Sequence, residues 1–107
     1  MKINYCIALG GGPNKSRYGE VFWKWKAVAG TLADVAPHLT LATFAVHKTV
    51  HELWVVSCLE TGQYAASGLT EQMALQDAAE KLSLKTDADI AAIFSRFDAK
   101  RDRPNPK

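Results

Sequence analysis

Tyr18-Gly19-Glu20-Val21-Phe22-Trp23-Lys24-Trp25-Lys26-Ala27-Val28-Ala29-Gly30-Thr31-Leu32-Ala33-Asp34-Val35-Ala36, closed by Pro37, is the segment on which the architecture turns. Tyr18, Val21, Phe22, Trp25, Val28, Ala29, Leu32, Val35 and Ala36 fall on the three-and-four spacing of one helical face. Glu20, Trp23, Lys24, Lys26, Thr31 and Asp34 take the other side. The spacing predicts a helix from about Arg17 to Ala36, ended by Pro37. A strand over Val21–Lys26 competes, but Phe22 and Val28 would then share a face with the lysines. Gly19 and Gly30 count against the helix by about 1 kcal/mol each relative to Ala.

The flanks read more simply. Lys2–Leu9 alternates as a strand, with Ile3, Tyr5, Ile7 and Leu9 on one face and Cys6 and Ala8 on the other. Gly10–Ser16 is a loop, and Ser16 can cap the helix expected after it. Leu39–Val46 and Leu53–Leu59 read as strands joined across His47–His51, a turn without Gly or Asn. Thr61-Gly62 turns the chain into a third strand, Gln63–Ser67. Thr70 caps a helix with Met73, Ala74, Ala78 and Leu82 on its stripe. Thr86 opens a last helix, where Ile90, Ile93, Phe94 and Phe97 recur at helical spacing and Asp87 and Asp89 suit the positive end of the dipole. Ala99–Lys107, with Pro104 and Pro106, reads as a disordered basic tail.

The expected architecture is one α+β domain over residues 1–98, in the order β-α-β-β-β-α-α, with a mainly antiparallel sheet packed on helices. Leu53, Val55 and Leu59 face one side of their strand, and Trp54, Val56 and Cys58 the other. Both sheet faces are therefore apolar. Helices cover one, and the other calls for a second helix layer or another subunit, so a homodimer is expected.

Composition sets the outer bounds. A chain of 107 residues that is 48% hydrophobic makes one domain with a core of its own. Two cysteines build no disulfide framework, and Cys6 and Cys58 read as small buried hydrophobes in a reducing compartment. Met1–Leu9 lacks the shape of a secretory leader, and no apolar run approaches the roughly 18 residues that cross a membrane. A cytoplasmic protein with no membrane partner is the expectation. The net charge of +2 hides an asymmetry. Lys2, Lys15, Arg17, Lys24, Lys26 and Lys48 outweigh Glu20 and Asp34 in the first half. Glu52, Glu60, Glu71, Asp77, Glu80, Asp87 and Asp89 outweigh Lys81, Lys85 and Arg96 in residues 51–97. A dipolar body is poor general bait for nucleic acid, though a local basic patch remains available.

Chemical motifs are weak. Gly10-Gly11-Gly12-Pro13-Asn14-Lys15-Ser16 has the glycines and the Lys-Ser pair of a phosphate loop, but Asn14 replaces the final glycine and Pro13 removes an N–H. His47 and His51 flank a turn that reads as solvated. As zinc ligands they would need Cys58, about seven residues up a strand. No Ser-His-Asp or Cys-His set is evident, and the pair Asp87 and Asp89 is explained by a helix start. No cofactor or metal is expected. The one aromatic-basic cluster is Lys15, Arg17, Trp23, Lys24 and Lys26, suited to an acidic protein surface or to stacking on bases. The competing reading buries Trp23 under a loop or the tail and leaves the lysines solvated.

Over Pro37–Leu82 the order of elements resembles a double-stranded-RNA-binding domain, with Pro37-His38, Phe44, Ala74 and Ala78-Ala79 where that family has similar residues. The resemblance implies a helix, three antiparallel strands and a second helix. The family's phosphate-gripping basic run is replaced by Leu69-Thr70-Glu71-Gln72, so no functional residue carries over.

The leading functional expectation is a small non-enzymatic binding protein, an adaptor or an inhibitor of the kind encoded by mobile elements, docking on an acidic protein partner. Two alternatives stand beside it: nucleic-acid binding through the basic-aromatic face, and a small enzyme whose site forms between subunits.

Overall fold

The computed structural model describes residues 1–9, 14–15, 17, 21–22 and 24–97. Its strands are β1 (Lys2–Ala8), β2 (Asn14–Lys15), β3 (Val21–Phe22), β4 (Trp25–Ala33), β5 (Phe44–Lys48), β6 (Trp54–Cys58) and β7 (Tyr64–Gly68), followed by the helices α1 (Glu71–Leu82) and α2 (Asp87–Phe97). A five-stranded antiparallel sheet runs in the order β1-β4-β5-β6-β7, and β2 and β3 pair separately. The α+β class, with an antiparallel sheet packed on helices, is what the chain adopts.

The helix expected from Arg17 to Ala36 is not there. Trp25–Ala33 is strand, paired with β1 along its length from Lys2↔Thr31 to Ala8↔Trp25. The mixed pattern that argued against a strand has a structural cause. β4 pairs with β5 over Thr31–Ala33 alone, and the β1–β4 ribbon then leaves the sheet. Its far end returns to the β6–β7 turn, where the Ala8 N–H donates to the Gly62 carbonyl at 2.8 Å. Buried residues therefore lie on both ribbon faces, Tyr5 on one and Cys6 and Ala8 on the other. Val28 and Lys26 can share a face because one is half-buried and the other lies exposed towards its margin.

This curl also answers which element covers the second sheet face. Phe44, Val46, Val56 and Cys58 point into the helix-side core with Ala74, Ala78, Leu82 and Ile90. The intervening Ala45, His47 and Ser57 are no more than 6% exposed, as is Tyr5 on the ribbon at 5%. The ribbon itself, rather than a second helix layer or another subunit, covers that face.

Leu39–Thr43, expected as part of a strand, is a loop before β5, because its N–H groups are used elsewhere. Thr40 and Leu41 donate to Asp87, and Thr43 donates to Glu60. The turn between β5 and β6 closes without Gly or Asn because Glu52 takes a left-handed φ of 63°. Gly62 supplies the corresponding conformation, φ 70°, in the β6–β7 turn. Both helix caps form as expected: the Thr70 hydroxyl accepts from Met73 N–H at 3.1 Å, and Thr86 and Asp89 cap reciprocally. β5, β6, β7 and α1 keep the strand-strand-strand-helix order of the double-stranded-RNA-binding resemblance, but its leading helix is replaced by β4. The phosphate-loop context fails too, since Asn14 and Lys15 pair in a strand with Val21–Phe22. The expected tail lies outside the described residues.

Candidate docking surface

Tyr5 decides how the ribbon seats. Its ring crosses diagonally from β1 over Gly30, where a Cβ would stand 2.6 Å from Tyr5 Oη and would also meet the Val46 carbonyl. Only a glycine leaves room for this approach. Tyr5 Oη then lies 3.3 Å from His47 Nδ1, with the two rings edge-to-face at 6.1 Å. Burial pushes the Tyr5 hydroxyl up to about 12. Burial, and then the nearby charge of Lys26, hold the His47 imidazole below its ordinary range. His47 is therefore a neutral core group near pH 7, not the solvated turn residue or the zinc ligand weighed from sequence. His51 stays exposed on the turn.

Beyond this pair, the ribbon and the β5–β6 turn enclose a groove of about 430 Å³. Ile7, Val28 and Val50 give it apolar walls, and Lys26, Lys48 and His51 bring basic groups to it. Among the described residues no Asp or Glu lines it. Val50 is 81% exposed, an unusual position for a β-branched hydrophobe on a turn tip. Lys48 stands 6.0 Å above the Trp54 ring and 3.9 Å from Glu52, an exposed ion pair of little energetic weight.

The proposed cluster is partly regrouped. Lys24 and Lys26 come together: the Leu9 N–H donates to the Lys24 carbonyl at 2.8 Å, extending the β1–β4 ladder one step, and alternation puts both lysines on one ribbon face. Both are exposed. Arg17 is exposed in the turn between β2 and β3, and Lys15 lies in β2 opposite Val21. Trp23 lies outside the described residues. Trp25 belongs to the opposite ribbon face and packs against Gly62. The sequence reading missed Ile7, Val28 and Val50 as groove residues, since a helix cannot bring Val28 beside the β5–β6 turn. The alternation Ala45-Val46-His47, with Val46 in the core, was the available signal that His47 lies on a buried second face.

Among the described residues no three His, Cys, Asp or Glu side chains gather as a metal ion would require. Burial raises the Cys58 thiol, which keeps it in the poorly nucleophilic protonated form. No helix is long and apolar enough to cross a membrane among these residues. Glu71, Asp77 and Glu80 on α1 and Asp87 and Asp89 on α2 carry the negative charge, and α1 packs on the sheet face away from the ribbon. No protein-family model matches the chain, and no curated protein or solved structure is significantly similar to it.

Proposed function

We propose that this is a non-enzymatic binding protein, an adaptor or inhibitor, that docks its ribbon groove on the acidic surface of a protein partner. The observation that carries the reading is the groove itself: apolar walls at Ile7, Val28 and Val50, basic groups at Lys26, Lys48 and His51, and no carboxylate among the described residues that line it. An exposed apolar centre flanked by lysines gives affinity through the centre, and association rate and orientation through the lysines. Lys15, Arg17, Trp23 and Lys24, the rest of the basic-aromatic cluster expected from the sequence, belong to the same proposal as partner-binding residues. Buried thiols at Cys6 and Cys58 favour a reducing compartment, which we take to be the cytoplasm.

Photo-crosslinking from position 50 in the source cell tests the reading. A discrete protein adduct that disappears with Lys26→Glu supports it. An adduct insensitive to Lys26→Glu, or no adduct, refutes it. Adducts to nucleic acid with a steep salt slope would favour the nucleic-acid alternative through the same lysines. The separation of charge also supports self-association, most simply as a homodimer. Light scattering that shows only an 11.7 kDa species would remove it.

A further inference from the structure

The second site lies on the other face of the sheet, where α2 meets α1 and the strand ends. α2 is pinned at its first turn. Asp87 accepts from the Thr40 N–H at 2.8 Å and from the Thr40 hydroxyl at 2.7 Å. His38 Nε2 lies 3.1 Å from the carbonyls of both Leu82 and Lys85, which fixes the link between the helices. Ile90 is consequently buried at 5%, but Ile93 and Phe94, one turn further along, are only half-buried. They form one wall of a cleft of about 420 Å³, faced by Phe44, Ala65 and Leu82. That size falls within the range of small-molecule sites. Helix packing that leaves such a cleft forgoes dispersion contacts that a closer approach would supply.

Lys81 and Lys85 line the cleft, and among the described residues no Asp or Glu does. Lys81 Nζ is steadied by Asp77 at 2.9 Å and lies 5.9 Å from the centre of the Tyr64 ring. Both lysines are exposed, so their ammonium groups sit where the cleft meets water. Apolar walls with Lys85 and the Asp77-paired Lys81 at the mouth, a net single positive charge, match a ligand with a hydrocarbon body and an anionic head. We infer that this cleft binds a medium-chain carboxylate, its chain between Phe44, Ala65, Leu82, Ile93 and Phe94 and its head at Lys81 and Lys85. A cationic amphiphile of the same chain would meet like charge at the mouth. The docking groove lies across the sheet, so the two readings fail independently.

The test is an amide-resolved NMR titration of the full chain with sodium decanoate below its micellar range, with decyltrimethylammonium as the matched cation. The expected result is saturable shifts confined to the residues of the cleft, with decyltrimethylammonium bound at least about tenfold more weakly. Lys81→Glu with Lys85→Glu should weaken decanoate by about tenfold or more, as expected when two exposed attractions become repulsions. Should that pair disturb the amide spectrum elsewhere, Lys85→Gln alone, at an exposed position, should still weaken binding by about twofold or more. Absence of saturable shifts, shifts centred on the ribbon, equal binding of the cation, or unaltered decanoate affinity in the folded variants would overturn the inference.

Discussion

Gly30→Ala separates the observed strand from the expected helix by the sign of its effect. In the interior of a helix the change would add about 1 kcal/mol of stability. In β4 the new methyl would stand 2.6 Å from Tyr5 Oη and 2.9 Å from Tyr5 Cε1, and would press on the backbone carbonyl of Val46. Tyr5 is 5% exposed and has little room to swing away. Moving it gives up the His47 interaction, worth about 1 kcal/mol, and forcing the β4–β5 seam apart adds about 1–3 kcal/mol of overpacking. The lower chain entropy of unfolded Ala returns about 0.4–1 kcal/mol. The net expectation is a loss of about 1–4 kcal/mol, or roughly 5–25 °C in Tm for a domain of this size. Urea unfolding followed by circular dichroism, with an unchanged slope, is the assay. Combining it with Tyr5→Ala should recover part of the cost, because that removes one of the two obstructions. A Gly30→Ala protein as stable as the parent, or more so, would refute the ribbon geometry.

Three further outcomes are expected. Trp25→Ala should cost about 3 kcal/mol in the same melts, since the ring packs against Gly62 at the ribbon's return to the sheet. Because the folded state holds His47 below its unfolded pKa, the unfolded chain binds more protons between the two values. The stabilising contribution is therefore whole above about pH 6.5 and is lost as pH falls below it. Urea midpoints should drop from pH 7 to pH 5 more steeply in the parent than in His47→Gln. Hydrogen bonds from Thr40 and Leu41 hold the Asp87 carboxyl below the usual carboxylate range, so its contribution is present above about pH 4 and is lost on acidification. Asp87→Asn should accordingly speed amide exchange in α2 more than in α1.

The amino-acid order by itself determined the local elements whose signals are short-range. The alternation of Lys2–Ala8, the Thr61-Gly62 turn, the Thr70 and Thr86 caps and the stripe Ile90-Ile93-Phe94 each need only a few neighbouring residues to be read. Together they specify α+β. The Lys24-Lys26 pair was likewise legible as a basic surface, although its neighbours were not. Trp25–Ala33 was settled by tertiary structure alone. Its apolar positions fit a helix over a longer span than a strand, and β1, whose partner it became, lies some twenty residues earlier in the chain. A ribbon with buried residues on both faces loses the period-two contrast that marks a half-buried strand. The same curl buried His47 under Tyr5, covered the sheet face that had suggested a second subunit, and placed Val28 beside Val50 to form the groove. Periodicity registers which face a residue takes. Whether a neighbouring element then closes over that face depends on long-range pairing, which a local pattern does not encode.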